Sequence, residues 1–235
     1  MAALRSPAVG FAHRGARDRT RENTLDAFAV ALSLGATGLE SDVWRTSDGE
    51  VVLDHDGIVR SGLRRRKISE VRRVALPSHM PTLAELYDAC GTGFDLSLDV
   101  KDPAAAAGVV ATARSAGGDA LGRLWLCSPS WECAATWRSL DDTIRLVDST
   151  RLAKIKEGPE RRAARLAETG IDALNMHHTD WTAGLVALCH RFERFALGWD
   201  AQFDRILVSL LAMGIDGVFS DHPDLMMAAI DAHQR

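Results

Sequence analysis

GLESDVWRTSDGEVVLDHDG, residues 38–57, places six carboxylates and one histidine in a stretch otherwise rich in Val, Leu and Gly. Its opening, GLESDV (38–43), has the length and β-branched ending of a strand. Residues i and i+2 of a strand share a face, so Glu40 and Asp42 point the same way. Carboxylates on a buried strand face are costly unless something pairs with them. A closed barrel offers such a place, because polar side chains at the C-terminal ends of its strands meet at one mouth.

Working outward, further strand candidates stand at AVGFAH (8–13), FDLSLDVK (94–101), RLWLCS (123–128), TIRLVD (143–148), IDALNM (171–176), RFALGW (194–199) and DGVFSD (216–221). Helical patterns alternate with them, at 24–35, 82–90, 102–117, 130–140, 159–170, 182–193, 203–214 and 223–233, several ending in Gly. Eight strand–helix units predict a (β/α)8 TIM barrel, an α/β fold, as one domain over 1–235. An open doubly wound sheet is the alternative, but no GxGxxG follows the first strand. The one wide gap lies between Val43 and Phe94. It predicts a hairpin, with a turn at SDGE (47–50) and VVLDH (51–55) returning, and then a short insertion over 57–80. The insertion carries the basic run RSGLRRRKISEVRR (60–73), read first as a solvated face and second as a rim patch for an anionic substrate or lipid surface.

The balance of charge, -4 with pI near 6.1, argues against nucleic-acid binding. Cys90, Cys127, Cys133 and Cys189 form no CxxC pair and read as free thiols, which suggests a reducing, cytoplasmic location. MAALRSPAVGFAHRG lacks the apolar core of a signal peptide, and no apolar run approaches the ~20 residues of a membrane span.

Ser97, Asp99 and Lys101 share a face at the end of the third barrel strand, beside Glu40 and Asp42. Three converging carboxylates repel one another, and a hard divalent cation, Mg²⁺ or Ca²⁺, removes that penalty. A salt-bridge layer with Lys101 and Arg14 is the alternative, and spacing does not separate the two. His13 ends the first strand, next to Arg14, whose guanidinium can clasp a phosphate. His55 ends the hairpin that folds back over the same mouth, so His13 and His55 form a candidate acid–base pair. Trp199 ends the seventh strand and could line the pocket; Trp125, Trp131 and Trp137 read as packing residues. His177 and His178 follow the sixth strand and could approach the mouth, but loop placement explains them, while His190 reads as a surface or helix residue.

AHRG (12–15), ENTLDAF (22–28), GLESDVWRTSDGEVVLDHD (38–56), PTLAEL (81–86), LSLDVK (96–101) and GVFSDHPDL (217–225) together resemble the glycerophosphodiester phosphodiesterases, in order and spacing, over nearly the whole chain. The resemblance implies a TIM barrel that hydrolyses small glycerophosphodiesters to an alcohol and glycerol 3-phosphate. It implies that His13 and His55 exchange protons, that Glu40, Asp42 and Asp99 hold one divalent cation, and that Arg14, Lys101 and Trp199 bind substrate. It also implies initial attack by the glycerol 2-hydroxyl, giving a cyclic phosphate that water opens. Asp99 departs from the glutamate usual at that position, and is one methylene shorter. Two other readings keep the same site: cleavage of lysophospholipids, for which the basic run and short insertion would leave an open mouth, and a barrel that binds a phosphoester without turnover.

Overall fold

The computed structural model describes residues 3–61 and 64–235. Two positions of the basic run, 62 and 63, therefore lie outside the described residues. Eleven strands occur among the described residues: β1 (Val9–His13), β2 (Gly38–Arg45), β3 (Val51–Leu53), β4 (Ile58–Ser61), β5 (Arg64–Lys67), β6 (Asp95–Val100), β7 (Leu124–Ser128), β8 (Arg145–Thr150), β9 (Ala173–His177), β10 (Phe195–Trp199) and β11 (Gly217–Ser220). Eight of these, β1, β2 and β6 to β11, run parallel, and β1 pairs with both β2 and β11, so the sheet closes on itself. The (β/α)8 barrel expected from the sequence is the observed fold. Its helices are α1 (Leu25–Ser33), α2 (Leu83–Cys90), α3 (Ala106–Ala116), α4 (Trp131–Thr136), α5 (Pro159–Glu168), α6 (Ala183–Arg191), α7 (Asp204–Ala212) and α8 (Pro223–His233).

Local chemistry fixes where these helices begin. Thr24, Thr82, Ser130 and Thr182 each accept a hydrogen bond from a backbone N–H in the first turn that follows, and Thr82 forms a reciprocal capping box with Glu85. The main apolar core lies between sheet and helices, where Leu39 and Val43 of β2 and Leu96, Leu98 and Val100 of β6 pack outward. A second cluster, including Phe11, Trp125, Val147, Leu197 and Phe219, fills the barrel interior. Phe11 stacks on Phe219 with centroids 4.6 Å apart, and Trp125 meets Phe11 edge-on. Below them the Trp125 indole donates to Asp95, which also accepts from both terminal guanidinium nitrogens of Arg5. This layer of ion pairs and aromatic rings fills the floor and leaves the polar strand ends at the opposite rim.

The wide gap after β2 folds as predicted near its start. β3 returns antiparallel to β2, and the Asp54 N–H donates to the Asp42 carbonyl at 3.0 Å. The insertion is more ordered than its composition suggested. Strands β4 and β5 form a hairpin, and Val59, Ile68, Val71, Leu76 and Met80 bury a small core against Trp44 and Val52. Arg65, Arg66 and Lys67 remain exposed, as a solvated face requires.

Gly15 sets the turn out of β1. Its φ is +81°, and a Cβ there would stand 2.6 Å from the Ala27 backbone. Gly15→Ala is expected to cost about 1–3 kcal/mol from backbone strain alone. A lower midpoint in thermal unfolding would register it, and an unchanged midpoint would contradict the assigned close contact.

Candidate active site

Adjacent parallel strands bring the acids together in register. Asp42 on β2 lies abreast of Asp99 on β6, and Glu40 lies abreast of His13 on β1. Ser41 turns outward instead and donates to the Asn23 side chain at 2.7 Å. Carboxylate oxygens of Glu40, Asp42 and Asp99 all fall within 4.8 Å of one another. Asp99 thus reaches the group despite its short side chain, because register places it beside Asp42.

Both basic residues touch this cluster. Lys101 Nζ sits 2.9 Å from Asp42 and 3.0 Å from Asp99. Burial lowers the lysine's proton affinity, but the two carboxylates more than reverse this and hold it charged. Arg14 donates to Glu22 at 3.0 Å, and its Nε approaches Asp42 Oδ2 at 3.3 Å. That last approach is close but misaligned, so both buried atoms lack a formed hydrogen bond. The backbone N–H of Arg14, at φ +55°, donates to Glu40.

Two basic side chains do not make the cluster comfortable. Glu40 is pushed up to about 8, first by burial, with Asp42 and Asp99 adding to the effect against the pull of His13. An all-oxygen donor set, an unfulfilled Asp42 oxygen and a carboxyl that resists ionisation fit a hard divalent cation.

His13 is fixed through Nδ1, which lies 2.6 Å from Asp221 at the end of β11, while Nε2 lies 3.8 Å from Glu40. Burial alone would lower its proton affinity, but Glu40 and Asp221 outweigh burial and raise it. His55 has a similar partner, with Nδ1 2.9 Å from Asp56, in a more exposed setting. Both histidines, Arg14, Glu40, Asp99, Lys101 and Trp199 line one cavity of about 530 Å³ at the strand ends. A larger cavity, about 800 Å³, lies elsewhere, beside the segments that precede β1 and β11, and gathers no acid cluster.

Sequence reasoning missed three contributors to this mouth. Asp221 orients His13, and Arg151 and Lys154, after β8, add positive charge. Asp221 stands in the quoted motif GVFSDHPDL, and closure of the ring is the signal that would have placed it beside His13. His177 also differs from its expected loop placement. It ends β9 as part of the strand and meets the Trp199 ring edge-on at 4.6 Å. Trp125 and Trp137 are buried as packing residues.

The glycerophosphoryl diester phosphodiesterase family model matches residues 13–225, from His13 to Leu225. The chain belongs to this family. YhdW of Bacillus subtilis (strain 168) is 23% identical over 235 residues, covering 92% of this chain and 95% of that protein. A glycerophosphodiester phosphodiesterase of Caldanaerobacter subterraneus is 50% identical over 48 residues, a fifth of each protein. Among solved structures, an Oleispira antarctica phosphodiesterase in complex with sn-glycerol-3-phosphate superposes with a TM-score of 0.80 at 21% identity, over 95% of this chain and 96% of that one. That likeness establishes the shared barrel. The family match spans all eight residues singled out from the sequence: His13, Arg14, Glu40, Asp42, His55, Asp99, Lys101 and Trp199. No helix among the described residues is long and apolar enough to cross a membrane.

Proposed function

We propose that this glycerophosphodiester phosphodiesterase family member hydrolyses glycerophosphodiesters to an alcohol and sn-glycerol 3-phosphate, with a divalent cation at Glu40, Asp42 and Asp99. The observation that carries the reading is the convergence of His13, His55, Glu40, Asp99 and Lys101 on one strand-end cavity, with Trp199 also on its wall. The product held by the Oleispira antarctica relative supports the substrate class.

A bound Mg²⁺ or Ca²⁺ supplies electrostatic stabilisation of the charge that grows on the phosphate. The chain's own groups do the rest. Asp221 accepts the Nδ1 proton of His13, which leaves Nε2 as the atom that exchanges protons. Asp56 does the same for His55. One histidine takes the proton of the glycerol 2-hydroxyl as its oxygen bonds to phosphorus. The other gives a proton to the leaving alcohol as the old P–O bond breaks. Water then opens the cyclic phosphate by the reverse exchange. Lys101 and Arg14 offer the phosphate the cationic donors it needs, and Trp199 offers the glyceryl group an apolar wall. The family match and the relatives' names favour a small glycerophosphodiester over a lysophospholipid.

The expected result with glycerophosphocholine and Mg²⁺ or Ca²⁺ is release of glycerol 3-phosphate, read by a coupled dehydrogenase assay. EDTA abolishes it, and lysophosphatidylcholine turns over more slowly. Metal-replete protein that leaves a panel of glycerophosphodiesters intact would overturn the proposal.

A further inference from the structure

Across the barrel mouth from the acid cluster lies a group of different chemistry. His177 closes β9, His178 begins the single 3-10 turn that follows, and Asp200 comes directly after β10. Strands β9 and β10 pair so that His177 lies abreast of Trp199, which brings Asp200 alongside. One ligand-capable atom from each of His177, His178 and Asp200 falls within 4.8 Å of the other two. The group stands three strands from β2 and β6 in either direction around the ring.

Neighbouring residues hold these side chains in place. His177 Nδ1 lies 2.7 Å from the Thr179 hydroxyl, while Nε2 faces Asp200 Oδ2 at 3.1 Å. The other Asp200 oxygen accepts from Gln202 at 3.2 Å. The His178 ring lies 4.3 Å from that of His177. The guanidiniums of Arg151 and Arg205 both bear on His178, and Arg151 is engaged by Asp180 at 2.6 Å. Thr179 fixes the His177 ring from two sides, its backbone N–H donating to Nδ1 at 3.3 Å and its hydroxyl lying 2.7 Å away, the kind of outer contact that orients a ligating imidazole.

We propose that His177, His178 and Asp200 form a second metal site, selective for a borderline divalent cation of the Zn²⁺ or Co²⁺ class. Two imidazoles and one carboxylate suit such ions, whereas the all-oxygen cluster suits Mg²⁺ or Ca²⁺. Three protein ligands leave a coordination position open. Asp200 also lines the substrate cavity, so an anionic oxygen entering the mouth is the chemical class of ligand for that position. The site is independent of whether the chain cleaves diesters, and its test does not read turnover.

The probe is Co²⁺, titrated into intact protein with Mg²⁺ in excess and followed by visible absorption. One equivalent is expected to give ligand-field bands that Zn²⁺ displaces and further Mg²⁺ does not. His178→Gln and Asp200→Asn should each weaken Co²⁺ binding by about tenfold or more. Glu40→Gln should leave it intact. Absence of the bands, binding unchanged in both rim variants, or binding lost in Glu40→Gln would each overturn the proposal. Calorimetric titration with Zn²⁺ on the same variants gives a second reading, and matching melting midpoints without metal show that the variants fold.

Discussion

His13→Ala is expected to lower kcat/KM on glycerophosphocholine by roughly 10³-fold, the middle of the range for a lost acid–base group. The side chain is only about a quarter exposed and touches a carboxylate at each ring nitrogen's end, so alanine removes the proton carrier without opening the core. Asp221→Asn separates this role from a merely structural one. The raised proton affinity of His13 depends in part on Asp221. Removing that charge should move the His13 limb of the pH–rate profile toward acid and leave KM nearly unchanged. A His13→Ala enzyme that keeps a tenth of its activity would remove His13 from the chemistry.

The second large effect concerns the acid cluster. In cation-free protein the folded state holds the Glu40 proton up to about 8, whereas the ordinary value is 4.5. Between these limits the folded state binds more protons than the unfolded chain, so stability falls as pH rises. His13, also raised, contributes in the same direction above its ordinary value of 6.5. Its share of the stability is present below that value and is lost as pH rises through the folded value. The combined slope amounts to a loss on the order of a few kcal/mol. Adding Mg²⁺ at a hundred times its Kd should restore about 2.7 kcal/mol. Glu40→Gln should flatten the slope, abolish the response to Mg²⁺ and eliminate turnover together. Urea unfolding across pH 4.5 to 8, in EDTA and in chelator-free Mg²⁺, reads the slope and the Mg²⁺ response, and the glycerol 3-phosphate assay reads turnover. A Glu40→Gln protein with the wild-type slope would show that the penalty lies elsewhere.

The sequence made the barrel legible because its strands are short, mostly apolar runs alternating with helical patterns, with acids and histidines gathered toward the ends of several of them. Glu40, Asp42 and Asp99 could be grouped from strand alternation, and the register of β2 against β6 places them together. Pairings between distant segments were harder to read. His190 sits in AGLVALCHR and resembles a helix-surface residue, yet it is buried, with Nε2 2.8 Å from Asp216 just before β11. A histidine can be buried there because that carboxylate comes to meet it, and nothing near residue 190 announces the partner. The insertion posed the opposite difficulty. Its arginines advertise solvent, while the five apolar residues that give it a core are spread from Val59 to Met80. Whether the acids face a cation or only Lys101 and Arg14 was undecided by spacing, since both basic residues do reach them.

The bond between His13 and Asp221 joins positions 208 residues apart. Strands β1, β2 and β6 can assemble the acids from the first half of the chain, but His13 gains its orienting carboxylate only when β11 closes against β1. A nascent or truncated chain ending before Asp221 would therefore carry the acid cluster yet lack a fixed proton carrier. With His13 in its proposed role, competence for chemistry would arrive with the last strand, and turnover would report completion of the ring.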